Sequence, residues 1–166
     1  MKYQGESVFS FLKSSHLPAH LQRLKTLPLF SSLTPRELKI VDGLLHQRHF
    51  LAGEVVFDEG EEGQALYILL SGTVMVTRSV DGNRDVVAEL SSGSFFGDLA
   101  LLDNTPRSAQ IRAKEACDMA VFFRADFVAL MEIDARIGYK ISLQLARNLA
   151  QRLRGVLQGR PRVEVL

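Results

Sequence analysis

Hydrophobic and polar positions follow two different periods along this chain, and the change of period divides it into three parts. Over residues 17–29 apolar residues recur at helical spacing until Pro28 interrupts them. A second helix is predicted to begin at Thr34, which can form a capping box with Glu37. Residues 1–44 are therefore predicted to form an N-terminal helical segment.

Residues 45–123 alternate with a period of two, and turn residues interrupt the pattern roughly every eight to twelve positions. Many short, evenly spaced strands are typical of a double-sheet roll. We therefore predict a mainly β fold, a double-stranded β-helix jelly roll of about eight strands, flanked by N-terminal helices and a C-terminal helical pair. The candidate strands are Gln47–Leu51, Glu54–Asp58, Ala65–Leu70, Thr73–Ser79, Asp85–Leu90, Ala109–Arg112 and Asp118–Phe123.

Helical spacing returns over residues 124–158. One helix is predicted at Arg124–Glu132 and a long one at 136–157, which leaves 159–166 as a tail. At 1.5 Å per residue the long helix would extend about 30 Å, further than a roll of this size can cover. We therefore predict that 124–158 closes over the roll as a lid and that the distal half of 136–157 pairs with a second copy in a homodimer.

The chain's most informative chemistry lies in residues 96–109, which read F-G-D-L-A-L-L-D-N-T-P-R-S-A. Gly97 precedes a short apolar turn whose first backbone N–H groups lack partners and can hold an anion. Arg107 can fold back over those amides and clamp a phosphate with two parallel hydrogen bonds. Asp98 would repel a phosphate, so it needs another task, such as accepting a hydrogen bond from a sugar hydroxyl. Together these residues predict a site for a sugar phosphate.

This stretch resembles the phosphate-binding cassette of the cyclic nucleotide-binding domain family, whose pattern is F-G-E-L-A-L, a short spacer and P-R-x-A. The family includes the regulatory subunits of cyclic-AMP-dependent protein kinase, the cyclic-nucleotide-gated channels and the bacterial catabolite activator proteins. The resemblance covers roughly residues 27–158 and places the cassette at 94–109. Asp98 stands where the family has glutamate. The matching positions are Phe96, Gly97, Leu99, Ala100, Leu101, Pro106, Arg107 and Ala109.

The resemblance implies a regulatory sensor domain that binds a cyclic nucleotide, cAMP or cGMP, and transmits occupancy through its C-terminal helix. Arg107 would pair with the cyclic phosphate, and Gly97 with the amides of Leu99 and Ala100 would complete the phosphate contacts. Asp98 would inherit the family glutamate's bond to the ribose 2′-hydroxyl. Further ligand contacts are expected from Ser108 and Ala109, and contacts to the base from Val56, Leu69 and Arg152.

The shorter side chain of Asp98 leaves the strength of binding open. Aspartate lacks one methylene of glutamate, so its oxygens retreat by about 1.5 Å, which is enough to break a direct hydrogen bond. The backbone can move in, a water can bridge the gap, or the sugar contact is lost. The alternative function is therefore a degenerate cyclic nucleotide-binding fold that binds no nucleotide and serves as a dimerisation or docking module.

Composition excludes several other classes of protein. The chain has 166 residues, 46% hydrophobic and 23% charged, which is typical of one globular domain, and its net charge of +1 indicates no acidic partner. The single cysteine excludes an internal disulfide, and the chain contains neither a secretion signal nor an apolar run long enough to span a membrane. We therefore expect a cytoplasmic protein with no membrane contact.

Catalytic and metal-binding motifs are absent from the sequence. No H-E-x-x-H pattern, cysteine–histidine cluster or nucleophile elbow occurs, so we expect neither an enzyme nor a metal or cofactor site. Residues 135–163 carry seven basic and no acidic side chains; such a helix can contact nucleic acid or a membrane, but we favour a solvated helix face. DNA binding of the catabolite-activator kind requires a helix-turn-helix after the long helix. Only nine residues follow Leu157, so DNA binding is not expected unless the chain is a fragment.

Overall fold

The structure is a computed structural model and describes residues 17–158. The first sixteen residues of the predicted N-terminal segment and the predicted tail at 159–166 lie outside the described residues. None of the described helices has the length and apolar character needed to cross a membrane.

The N-terminal part contains two short helices, α1 at Ala19–Thr26 and α2 at Pro35–Asp42, with a 3-10 turn at Pro28–Phe30 between them. The helical spacing of residues 17–29 is thus broken at Pro28, as expected of a residue that lacks an amide donor. The predicted capping box is present, because the Glu37 amide donates to Thr34 Oγ1 and the Thr34 amide donates to the Glu37 carboxylate.

Within residues 17–158, eight strands form two antiparallel four-stranded sheets, which confirms the predicted mainly β jelly roll with flanking helices. Their orders are β1-β8-β3-β6 in the first sheet and β2-β7-β4-β5 in the second. The strands are β1 Leu45–Phe50, β2 Val55–Phe57, β3 Ala65–Ser71, β4 Thr73–Val80, β5 Asn83–Ser91, β6 Phe95–Phe96, β7 Gln110–Ala113 and β8 Cys117–Phe123. The sequence analysis missed β6, since a strand of two residues shows no alternation.

Two hydrophobic clusters lie on opposite faces of the first sheet. Leu66, Ile68 and Phe122 project from one face of this sheet and pack with the helices. Leu69 and Met119 project from the other face into the space between the two sheets. Strand β3 is therefore buried on both faces, which explains its nearly continuous apolar sequence.

The described part of the chain ends with two helices, α3 at Arg124–Ile133 and α4 at Ala135–Leu157. Asp134 caps α4 by accepting from the amides of Arg136 and Ile137. Gly138 lets the two helices approach closely, because a Cβ there would lie 2.4 Å from the Met131 side chain. The first half of α4 is thereby packed against α3, and its second half carries exposed apolar side chains such as Leu153 and Leu157.

Candidate functional site

The backbone around residue 107 is fixed by the acidic loop that follows β2. The amide of Gly60 donates to the carbonyl of Arg107 at 2.9 Å, and the amide of Arg107 donates to the carbonyl of Glu61 at 2.8 Å. Gly63 continues this loop behind the arginine, where an added Cβ would lie 2.9 Å from Ala100. The sequence analysis assigned no site residue to this loop, although its paired glycines at 60 and 63 marked a tight turn.

The side chain of Arg107 points inward and is 8% exposed. Its Nη1 and Nη2 donate to the carbonyls of Gly97 at 3.2 Å and Ala65 at 2.9 Å, and its Nε has no hydrogen-bond partner. The guanidinium lies 4.1 Å above the ring of Phe57. Burial lowers the pKa of Arg107 from its ordinary value, but a guanidinium remains charged at neutral pH. Within residues 17–158 no carboxylate forms an ion pair with this cation.

Gly97 has to be a glycine for two reasons. Its φ of +70° lies in the left-handed region that other residues disfavour. A Cβ at this position would also lie 2.5 Å from Arg107 Nη1. Gly97 therefore lets the arginine approach the backbone of the cassette.

A 3-10 turn at Asp98–Leu101 follows Gly97. The amide of Ala100 donates to the carbonyl of Gly97 at 3.2 Å within this turn, and its contact with a phosphate stays a prediction. The side chain of Ala100 is buried, and that of Leu99 is 41% exposed.

Asp98 is buried and pairs with an arginine from the last helix. Its Oδ1 accepts from Arg152 Nη1 at 3.0 Å, whereas its Oδ2 is buried without a partner. The predicted contact of Arg152 with the base stays a prediction, and in the structure its guanidinium lies against Asp98. This partner could not be read from the sequence, because the two residues are 54 positions apart.

One cleft of about 520 Å³, including its open mouth, brings the predicted ligand-binding residues together. Two of the expected base contacts do not line it: Leu69 lies in the core between the sheets, and Val56 packs against that core. The cleft's lining consists of the predicted Gly97, Asp98, Leu99, Ala100, Arg107, Ser108, Ala109 and Arg152, together with Phe57, Phe96, Thr105, Pro106 and Ile111.

The position of Phe57 in the cleft, where Val56 was predicted, has a structural cause. The register between β2 and β7 shifts between Val55 and Phe57, so that a bulge displaces the alternation of β2 by one residue. A shift of one residue exchanges the two faces of a strand. Phe57 rather than Val56 therefore faces the cleft and lies beneath Arg107.

The described residues contain no cluster of three or more histidine, cysteine, aspartate or glutamate side chains that could hold a metal. His46 and His49 on β1 each contact a different carboxylate, Asp126 at 3.3 Å and Asp118 at 2.9 Å. Both contacts lie on the exposed surface and away from the cleft.

Comparison with known proteins identifies the family. The sequence model of the cyclic nucleotide-binding domain matches residues 47–134, more than half of the chain. The chain belongs to the cyclic nucleotide-binding domain family. Over 129 residues it is 33% identical to the cyclic AMP receptor protein of Thermus thermophilus, covering 77% of this chain and 60% of that protein.

Solved structures agree with this assignment. The catabolite activator protein of Thermus thermophilus superimposes with a TM-score of 0.72 at 34% identity, covering 80% of this chain and 61% of that one. The regulatory domain of Toxoplasma gondii PKA, crystallised with cAMP, gives a TM-score of 0.62 at 34% identity, covering 66% of this chain and 42% of that one. The chain thus spans about 60% of the length of the bacterial receptor and less of the kinase protein.

Proposed function

We propose that this domain is a regulatory sensor that binds a cyclic nucleotide in the cleft between the cassette and α4. The observation that supports this most strongly is the buried cation of Arg107. A buried charge normally has a counter-charge, because desolvating it alone is costly. Arg107 instead contacts two carbonyls and an aromatic ring, and its Nε remains unpartnered. An anionic group of a ligand would complete this arrangement.

The charge of the cleft favours a ligand with a single negative charge. Its charged lining residues are Arg107, Arg152 and Asp98, two positive and one negative, which leaves one positive charge. A cyclic phosphodiester carries one negative charge and would neutralise it. The unpartnered Oδ2 of Asp98 provides an acceptor for a hydroxyl beside that phosphate. A phosphodiester ring fused to a ribose offers both groups.

The rest of the cleft supplies an apolar wall. Phe57, Phe96 and Ile111 line it, and the flat rings are suited to the faces of a nucleobase. Ser108 lines the same cleft and is exposed, so its hydroxyl is available to phosphate or base. These contacts favour neither adenine nor guanine, and both cAMP and cGMP are proposed as ligands.

Isothermal titration calorimetry with cAMP and cGMP tests this proposal. We expect Arg107→Ala to weaken binding by about 30-fold or more, since truncating one partner of a sheltered charge pair costs about 2–5 kcal/mol. Arg112→Ala is the matched control, because Arg112 lies on β7, five residues further along the chain, and does not line the cleft. Its affinity should stay within about twofold of the wild type.

Failure of the wild type to bind either nucleotide would favour the alternative, a docking or dimerisation module of the same fold. The ion pair between Asp98 and Arg152 supports this alternative, because it already gives Asp98 Oδ1 a hydrogen-bond partner without a ligand. Thermal unfolding gives an independent measurement. A ligand at a hundredfold its dissociation constant should stabilise the native state by about 2.7 kcal/mol.

We further propose that α4 transmits occupancy and joins two copies of the chain. An exposed stripe along this helix follows a coiled-coil repeat with alternating steps of four and three residues. Leu153 and Leu157, on this stripe, are 59% and 78% exposed. The stripe consists of the exposed Tyr139, Ala146, Ala150, Leu153 and Leu157 and the half-buried Leu143.

The charges beside the stripe favour parallel pairing. Arg147 and Arg154 flank it on one side, and Leu149 and Val156 flank it on the other. In an antiparallel pair the arginines of the two copies would face one another, whereas in a parallel pair each would face the partner's apolar side. Parallel packing thus avoids repulsion between like charges.

A sensing role is also consistent with the names of the relatives. The three relatives compared above are a receptor, an activator and a kinase regulatory domain, and the lysophospholipases that also match do so over only 8% of their own length. We therefore propose no catalytic activity for this domain, and the single buried cysteine is compatible with a cytoplasmic location.

A further inference from the structure

Aromatic rings lie beside the buried guanidinium of Arg107 in place of a counter-charge. Its central carbon lies 4.1 Å from the centre of the Phe57 ring and 5.8 Å from that of the Tyr67 ring. Tyr67 in turn stacks on Phe96, with ring centres 5.5 Å apart and planes inclined by only 2°. Phe57 lies 5.5 Å from Tyr67 and 6.0 Å from Phe96. These three residues form one aromatic cluster, and Phe57 is the member nearest to the cation.

The aromatic cluster is assembled from both sheets. Tyr67 and Phe96 are paired neighbours on β3 and β6 of the first sheet. Phe57 comes from β2 of the second sheet, where the register shifts between Val55 and Phe57. Bulges of this kind often re-aim a side chain beside a functional site. The position of the Phe57 ring beneath the guanidinium therefore depends on a local departure from regular strand geometry.

The acidic loop after β2 offers Arg107 a competing position. Burial lowers the pKa of Arg107, whereas the charge of the exposed Glu61 on this loop acts in the opposite direction. The two side chains nevertheless form no ion pair in the described structure. A cation without support inside a protein tends to move toward water and toward an opposite charge. An arginine that had moved to Glu61 would no longer be available to an anion in the cleft.

We infer that Phe57 is a positioning residue that holds Arg107 in the cleft, ready for an anionic group of the ligand. The face of an aromatic ring attracts a cation without neutralising it, so the guanidinium keeps its charge for the ligand. A carboxylate in the same place would compete with that ligand. The inference rests on the proposed function and adds to it the reason why a buried cation with no ion pair stays in place.

Positioning of this kind acts on the protein before the ligand arrives. If only a fraction of the molecules hold Arg107 in the cleft, the apparent affinity for the ligand is reduced by that fraction. A contact between a cation and an aromatic ring in a sheltered site shifts such an equilibrium by roughly tenfold or more. The ring thus affects affinity without having to touch the phosphate.

Calorimetry with cAMP on variants of Phe57 tests the inference. Phe57→Leu keeps an apolar side chain but removes the ring, and it should weaken cAMP binding by about tenfold. Phe50→Leu is the matched control, because Phe50 is also half-buried and packs against the same core residues between the sheets, but does not line the cleft. Its affinity should stay within about twofold of the wild type.

A graded series at position 57 separates the charge distribution of the ring from its shape. Phenylalanines that carry one, two or three ring fluorines keep nearly the same size, but their faces become progressively less negative. The affinity for cAMP should fall with each fluorine and approach that of Phe57→Leu. A merely structural role predicts equal affinities across the series. Stacking of this ring on the nucleobase predicts affinities that are kept or increased, because a less negative face repels the base less.

Unfolding without ligand checks the contact itself. A double-mutant cycle of Phe57→Leu with Arg107→Met in urea should show a coupling that changes the unfolding equilibrium severalfold. A cycle with no coupling would show that the ring does not hold the arginine. The fluorinated series decides the question even if Phe57→Leu fails to fold.

The outcomes distinguish this inference from the proposed function. If the wild type binds cAMP and the fluorinated variants bind it equally well, Phe57 does not position Arg107 through its ring, although the domain still binds cyclic nucleotides. If the wild type binds neither cAMP nor cGMP, the proposed function and this inference are both wrong.

Discussion

Gly97 has a positive φ and also lies in close contact with Arg107. Substitutions can separate the effects of these two features. We predict that Gly97→Ala lowers the free energy of unfolding by about 1–2 kcal/mol because of its positive φ, and weakens cyclic nucleotide binding by at least about tenfold because the new Cβ displaces Arg107. Urea unfolding and calorimetry measure the two effects.

Gly82→Ala is the control for the backbone alone. Gly82 has a φ of +81°, but a Cβ there would meet no atom within 4 Å. The Gly82→Ala variant should lose a similar amount of its free energy of unfolding and keep the wild-type affinity for the cyclic nucleotide. Equal losses of affinity in both variants would show that strain, and not the contact with Arg107, weakens binding.

The residues of the site differ in how far the sequence reveals them. Gly97, Asp98 and Arg107 are carried by one short motif, so local order predicts them and the structure places them in one cleft. Phe57 depends on a bulge that shifts its strand by one residue, which no alternation pattern shows. The pairing of Arg152 with Asp98 depends on how a helix crosses the roll, and that is settled only by tertiary packing.

At the scale of elements, Glu37 on α2 pairs with two cations of α4, closely with Lys140 and more distantly, at 3.8 Å, with the exposed Arg136. Lys140 Nζ lies 2.6 and 2.8 Å from the two oxygens of Glu37, whose side chain is 12% exposed. Burial raises the pKa of Glu37, but hydrogen bonds from Lys140 and from Thr34 outweigh this and lower it from 4.5 to about 2. The contact ties the N-terminal helices to the first half of the last helix.

The lowered pKa gives a prediction for acid stability. A carboxylate with a depressed pKa stabilises the fold above its unfolded value of 4.5, and this contribution is lost as the pH falls toward 2. At pH 7 we expect Glu37→Gln to lower the free energy of unfolding by about 1–2 kcal/mol, since glutamine keeps the shape but not the charge. The difference from the wild type should narrow between pH 4.5 and pH 2 in denaturant unfolding.

Glu132→Gln is the matched control for this measurement, because Glu132 is exposed and forms no ion pair in the described structure. It should differ little from the wild type at any pH. A Glu37→Gln difference that stays constant with pH would mean that the charge of Glu37 does not contribute.

Helices and strands were predicted best where one hydrophobic periodicity is kept over many residues. The second half of the chain illustrates this, since α3 and α4 begin and end within one or two residues of their predicted bounds. The strand β6 was missed because two residues cannot show a period. The loop at residues 60–63 supports the site through backbone hydrogen bonds to Arg107, which the sequence does not show.

At the scale of the whole molecule, the exposed stripe of α4 predicts the oligomeric state. We expect the wild type to sediment as a dimer and Leu153→Glu to sediment as a monomer, because the substitution places a charge in the centre of an apolar seam. Gln151→Glu adds the same charge at an exposed position off the stripe and should remain dimeric. A monomeric wild type in sedimentation equilibrium would contradict the proposed pairing.

The single uncompensated cation of the cleft has a consequence for how a signal would end. Hydrolysis of a cyclic phosphodiester opens the ring to a monoester, whose second ionisation near pH 6 adds another negative charge at neutral pH. Arg107 offsets only one such charge, and Asp98 lies in the same cleft. The hydrolysed product would therefore bring an uncompensated negative charge into the cleft and bind more weakly. A phosphodiesterase acting elsewhere would then suffice to empty the sensor, without a dedicated step of release.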